Sequence, residues 1–191
     1  MNTHGLRETV VPREGDPMHE KGFSLIELLT TLVLLALLLP LSGSAMSELL
    51  RSNRQQDAAQ MLASGLRNAR AAAILHQRTV LIHGLEDDWS RGWRIILDIS
   101  GKGAQDARNP QLIERQGSGQ VLIVGNRPVQ HFVRFSALGH PLLPSGAFQA
   151  GTLHVCQAGQ EYSRHQVVLS RSGRVSLRSE NAEQALCAGV G

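Results

Sequence analysis

The chain has 191 residues, and 19 Lys and Arg against 16 Asp and Glu give it a net charge of +3. Once a leader and an apolar segment are set aside about 110 residues remain, which excludes more than one small domain. The basic surplus is nearly all arginine, since Lys102 is the only lysine after Lys21. A mildly arginine-rich surface binds phosphates without being built for it, so charge alone names no partner.

Residues 1–22 are acidic overall, with Arg7, Arg13 and Lys21 opposed by Glu8, Glu14, Asp16 and Glu20, and Met18 is an alternative start to Met1. From Phe23 to Leu41 the sequence reads FSLIELLTTLVLLALLLPL, which as a helix covers roughly the ~30 Å hydrocarbon core of a bilayer. Ser42-Gly43-Ser44-Ala45 after the run would suit signal peptidase. An acidic rather than basic leader, a run at full spanning length and an acid near its start argue against that reading. Glu27 is the decisive residue, because a carboxylate within the bilayer costs about 2.5–3.5 kcal/mol and is functional by default. Cleavage of the Gly22–Phe23 bond would create an α-amino group one helical turn away to neutralise it, within a chain or between chains. The alternative is that Glu27 lies at headgroup level, only a few residues into the run.

The segment Lys21-Gly22-Phe23-Ser24-Leu25-Ile26-Glu27-Leu28 resembles the processing signature of type IV prepilins and pseudopilins. The resemblance implies cleavage after Gly22 by a prepilin peptidase on the cytoplasmic side, N-methylation of Phe23, and a role for Glu27 in docking into a filament. It further implies a single pass of the inner membrane with the C-terminal domain in the periplasm. The leader departs from the pattern in being long and acidic.

Beyond Leu41 a helical rhythm continues through Met46, Leu50, Ala58, Leu62, Leu66, Ala69 and Ala73, while Arg51, Arg54, Asp57, Gln60, Arg67 and Arg70 mostly take other faces. The sequence thus predicts one helix from Phe23 to Gln77, with Pro40 and Gly43 as its expected bends. From Thr79 the period changes to strands over Thr79–Ile82, Trp93–Ile99, Gln111–Glu114, Val121–Val124, His131–Ser136, Thr152–Cys156, Gln166–Leu169 and Arg174–Arg178, separated by glycine and proline turns. With few aromatic residues, Val121, Ile123, Val133, Val168 and Leu169 are expected to supply much of the core. The fold class is therefore α+β. A leader (1–22), a membrane-spanning half-helix (23–45) and an amphipathic half-helix (46–78) precede an antiparallel β domain (79–191).

The block Trp89-Ser90-Arg91-Gly92-Trp93, with the last hairpin and its Gly173-Arg174-Val175, is similar to the GspH/FimT branch of pseudopilins and minor pilins. The two tryptophans are expected to bury apolar surface where the first strands meet the helix, with Gly92 admitting a close backbone approach. In a periplasmic setting Cys156 and Cys187, the only cysteines, are expected to form a disulfide. Closing a loop of about 31 residues would stabilise the fold by roughly 3.7 kcal/mol in the chain-entropy treatment.

His76, His83, His131, His140, His154 and His165 show neither a His-x-x-x-His spacing nor a neighbouring cysteine pair, so no metal site is expected. Glu86-Asp87-Asp88 reads as a solvated turn. No nucleophile elbow, phosphate loop or dinucleotide fingerprint is present, so neither enzyme nor cofactor is expected. Arg164, Arg171, Arg174 and Arg178 gather on the last hairpin as the best candidate for a DNA contact. The competing reading is a charged edge that prevents aggregation.

The expected function is that of a non-catalytic subunit at or near the tip of a type II secretion pseudopilus or a type IV pilus, with other pilins as partners. The alternatives are a FimT-like minor pilin taking up DNA and, from another class, a membrane-tethered periplasmic enzyme or binding protein. The latter needs neither cleavage nor Glu27.

Overall fold

A computed structural model describes residues 22–157 and 161–188, and for 37–45 the backbone alone. The predicted leader thus lies outside the described residues up to residue 21, and the expected bends at Pro40 and Gly43 fall in the stretch for which only the backbone is described. The chain divides into two compact units, Met1–Ala45 and Met46–Gly191. Helix α1, Leu25–His76, contributes to both.

In the first unit the helix begins with the bond from Leu28 N–H to the Ser24 carbonyl (3.1 Å). The Thr30 and Thr31 hydroxyls donate back to the carbonyls of Glu27 and Leu28 at 2.9 and 2.8 Å, which satisfies both without solvent. Phe23, Leu25, Ile26, Leu28 and Leu32 are all exposed. Among the described residues no helix is long and apolar enough to cross a membrane. Residues 37–45 of the predicted membrane-spanning half-helix fall outside the side-chain description.

The second unit is built on the later part of α1. Ala59, Leu62, Ala63, Leu66, Ala69 and Ala73 are buried to 1% exposure or less, at spacings that keep them on one face. Met46 and Leu50, expected on this stripe, are exposed instead. Stepping back from Leu62 by helical turns reaches Ala59 and Gln55, the first buried position, so the covered face starts there.

Two antiparallel sheets cover the stripe. The first has the order β3-β2-β1-β5, from β1 (Val80–Leu85), β2 (Asp88–Leu97), β3 (Gln111–Gln116) and β5 (Phe132–Phe135). The second has the order β4-β6-β7-β8, from β4 (Ile123–Gly125), β6 (Gly151–Cys156), β7 (Tyr162–Leu169) and β8 (Val175–Arg178), with β9 (Ala182–Glu183) also pairing β7. The strand pattern read from the sequence is present, but β9 was not expected, being only two residues long. Glu86 and Asp87 form the β1–β2 turn, both with positive φ as a tight hairpin demands. Val168, expected in the core, is only partly buried. Alternation sends its neighbours Val167 and Leu169 inward and turns it to the other face.

Trp93 lies across α1 at Gly65, where an added Cβ would stand 2.7 Å from the indole ring. Trp89 is buried too, and its indole N–H donates to the carbonyls of Val129 (3.2 Å) and Gln130 (2.8 Å), linking β2 to the loop between β4 and β5. Gly92 has φ +114°, and a Cβ there would meet the Arg115 carbonyl at 2.1 Å, so only glycine lets β3 approach. Buried Gln149 fastens the same region, donating to the Pro128 and Phe132 carbonyls and accepting from Arg134 N–H.

Replacing Trp93 by alanine empties this seam and should destabilise residues 46–191 by about 3–5 kcal/mol. Gly65→Leu overfills it and should cost about 1–3 kcal/mol. Urea unfolding midpoints of the two variants against the parent check both values.

Candidate processing and assembly site

Gly22, Phe23 and Ser24 precede the helix and are exposed. A Cβ built on Gly22 meets nothing within 4 Å. The Gly22–Phe23 bond is therefore open backbone just ahead of a helix start. Glu27 sits in the first turn of α1, exposed, where the free N–H groups of the helix end favour a carboxylate. The helix thus supplies the positive end of its dipole at the place where the sequence reading calls for a compensating charge.

The cysteines are bonded, Cys156 to Cys187, with Cα atoms 5.5 Å apart and both residues buried. Around this link the C-terminal tail is fastened to the second sheet. β9 pairs Tyr162 and Ser163, Gln184 N–H donates to the Glu161 carbonyl (2.8 Å), and the Gln166 amide donates to the Glu180 carbonyl (2.8 Å). From α1, buried Gln55 donates to the Cys156 carbonyl at 2.9 Å. Helix, sheet and tail meet at that residue.

His154 completes the fastening. Gln184 Oε1 accepts Leu186 N–H (3.2 Å), which leaves its amide nitrogen 3.1 Å from His154 Nε2. That ring nitrogen must accept, so Nδ1 carries the hydrogen toward Ser163 Oγ at 3.3 Å. Ser163 Oγ in turn accepts from Gln166 and donates to the His165 carbonyl. On the opposite face of the strand His165 Nδ1 meets Ser179 Oγ at 3.0 Å, while its buried Nε2 has no partner among the described residues. The sequence reading weighed the two histidines only as metal ligands and did not single out Gln184, because the pairing depends on a tail that folds back across β7.

The four arginines of the expected DNA contact are spread along one hairpin. Arg164, near the start of β7, is drawn to Glu48 of α1 at 3.5 Å. Arg171 and Arg174 occupy the turn after β7, and Arg178 ends β8 opposite Gln166; all three are exposed. The turn is held to α1 by arginines the sequence reading assigned to other faces: Arg70 donates to the Gly139 carbonyl (3.0 Å) and Arg67 to the Val175 carbonyl (3.3 Å). Gly173 lies against the same Gly139 carbonyl, 2.5 Å from where its Cβ would be. Among the described residues no group of three or more His, Cys, Asp or Glu is placed to hold a metal ion.

A helix that starts in an exposed Gly-Phe-x-x-x-Glu segment and packs its later half on antiparallel sheets defines a pilin-like protein. Residues 58–173 match the family described as Type II transport protein GspH, and residues 17–39 match the prokaryotic N-terminal methylation motif. The chain belongs to the GspH family. No curated protein matches it. Among solved structures it is similar to the type IV minor pilin FimU of Pseudomonas aeruginosa in two crystal forms. The first is 24% identical with a TM-score of 0.56, over 72% of this chain and 97% of that chain. The second is 25% identical with a TM-score of 0.54, over 69% and 98%.

Burial holds both His154 and His165 below the ordinary imidazole range, with Arg164 adding to the effect at His165. An unfolded chain therefore takes up these protons first as pH falls, so their contribution to stability is complete above about pH 6.5 and declines below it. Unfolding free energies of residues 46–191 at pH 7.5 and 5 should show this loss, and His154→Gln should flatten it.

Proposed function

We propose that this protein is a non-catalytic subunit of a pilus or secretion pseudopilus, cleaved after Gly22, methylated at Phe23, held in the inner membrane by the start of α1 and assembled through Glu27. The carrying observation is the N-terminal methylation motif over residues 17–39, set on an exposed, non-helical Gly22–Phe23 bond with Glu27 in the helical turn that follows. In lipid an unpaired carboxylate is costly, and the new α-amino group of a neighbouring subunit would neutralise it. Assembly then becomes favourable where a lone chain is not. The GspH match supports a place in type II secretion, and the likeness to FimU supports a place in a type IV pilus.

Co-expression with a prepilin peptidase should shorten the chain by its leader. Glu27→Gln should be cleaved normally yet enter filaments at least about tenfold less, the equivalent of ~1.4 kcal/mol. Retention of the leader, or equal incorporation of the variant in sheared fibres, overturns the proposal.

A second reading adds DNA as a ligand. It is favoured by Arg171, Arg174 and Arg178, which are exposed and make no ion pair among the described residues. Binding of duplex DNA to residues 46–191 should be independent of sequence and weaken steeply with salt. Changing the three arginines to glutamine should abolish it at low salt, and unaltered affinity removes the reading.

A further inference from the structure

The exposed apolar side chains of the Met46–Gly191 unit are unevenly placed. Of the eight large ones exposed among the described residues after Leu50, five gather where α1 ends: Ile74, Leu75 (79% exposed), Ile99, Leu138 (77%) and Phe148. Packing at the helix end brings them together. Ile99 and Ala137 share an open cleft of about 650 Å³ with His76 and Arg78, so the loop after β2 and the turn after β5 both reach the last turn of α1. Gly139 in that turn packs on Ile74, and its carbonyl accepts from Arg70 (3.0 Å), which fixes the turn exposing Leu138 to the helix. Phe148 lies edge-on to His140, the next residue, with ring centroids 6.4 Å apart.

The same end is basic. Its carboxylates among the described residues, Asp98 and Asp106, each face an arginine: Asp98 is buried 3.6 Å from Arg134, and Asp106 accepts from Arg108 at 3.2 Å. Arg78 and Lys102 are exposed and make no ion pair among the described residues. Gly173 against the Gly139 carbonyl adds the turn bearing Arg171 and Arg174, exposed and likewise without ion pairs. Positive charge alone would suit duplex DNA, but phosphates give nothing for exposed leucines. A protein partner would need a separate pocket for each apolar tip. A bilayer surface accepts such tips wherever they fall, because its acyl boundary is fluid, and it sets anionic headgroups level with the surrounding cations.

We propose that this end docks on an anionic lipid surface, with Leu75 and Leu138 entering the acyl boundary and Arg78, Lys102, Arg171 and Arg174 lying among the headgroups. Binding then depends on apolar area and charge together, and neither alone suffices. The contact needs neither the cut after Gly22 nor a filament, so it stands or falls apart from the assembly role.

The test holds the full-length chain in nanodiscs of phosphatidylcholine, so that its own bilayer carries no net charge, and measures capture of fluorescent vesicles by the immobilised discs, with empty discs as background. Vesicles containing phosphatidylglycerol should be retained at least about fivefold better than vesicles of phosphatidylcholine alone. Retention should fall at least about fivefold with Leu75→Ser and Leu138→Ser together, which leave the charge unchanged, and should survive Leu75→Phe with Leu138→Phe. It should fall by at least a similar factor with Arg78→Gln and Lys102→Gln, which leave the apolar tips, Arg171 and Arg174 in place. Equal retention of the two vesicle types, indifference to the serine pair or to the glutamine pair, or loss with the phenylalanine pair overturns the contact. Capture of duplex DNA, or of a second loaded neutral disc, in place of anionic vesicles overturns it as well.

Discussion

The closeness of α1 to the sheets is the constraint on which the second unit depends. Six small or branched side chains from Ala59 to Ala73 are fully buried, and at Gly65 the helix has no side chain at all where Trp93 lies on it. Helix and sheet meet along a narrow stripe, so bulk on one partner has to be matched by its absence on the other. The glycine and the tryptophan are two halves of one fitting. Gly92 repeats the arrangement one layer out, where lack of a side chain lets β3 reach the backbone of β2.

Fixing the seam also fixes the tail. Gln55 stands at the first buried position of α1, and its amide holds the carbonyl of Cys156, the residue whose sulfur holds Cys187. The remaining bonds of the tail, through Gln184, His154 and Gln166, need β6 and β7 already in register. The disulfide thus joins a tail that backbone pairing and side-chain bonds also hold to β7. A neutral His154 is part of that fit, because its Nε2 has to receive the Gln184 amide hydrogen.

Much of this architecture was legible in the sequence, for reasons that differ between its parts. Alternation and turn residues located the strands because each is half-buried and its pleat has period two. The Trp-x-x-Gly-Trp block announced a buried joint, since large rings around a glycine have few other uses. The helix stripe was read partly out of phase at Met46 and Leu50, because apolar content alone does not tell where a covering sheet begins. Val168 was misplaced for a related reason: in the run Val167-Val168-Leu169 of three adjacent aliphatic residues, composition leaves the phase open and only the ladder decides. The division into two sheets, the role of Gln149 and the tail network depend on contacts between residues far apart in the chain. No local pattern carries them.

The position of the helix start has a consequence for the proposed cut. The first helical bond joins Leu28 to Ser24, and the expected cut lies upstream of both. Were the chain cut at Gly22 as proposed, the described hydrogen bonds of α1 from Leu28 onward would all lie within the part that remains. Under the proposed processing, a trimmed chain would keep the start of its helix unchanged, so the cut would alter the end of the molecule and leave the described helix as it is.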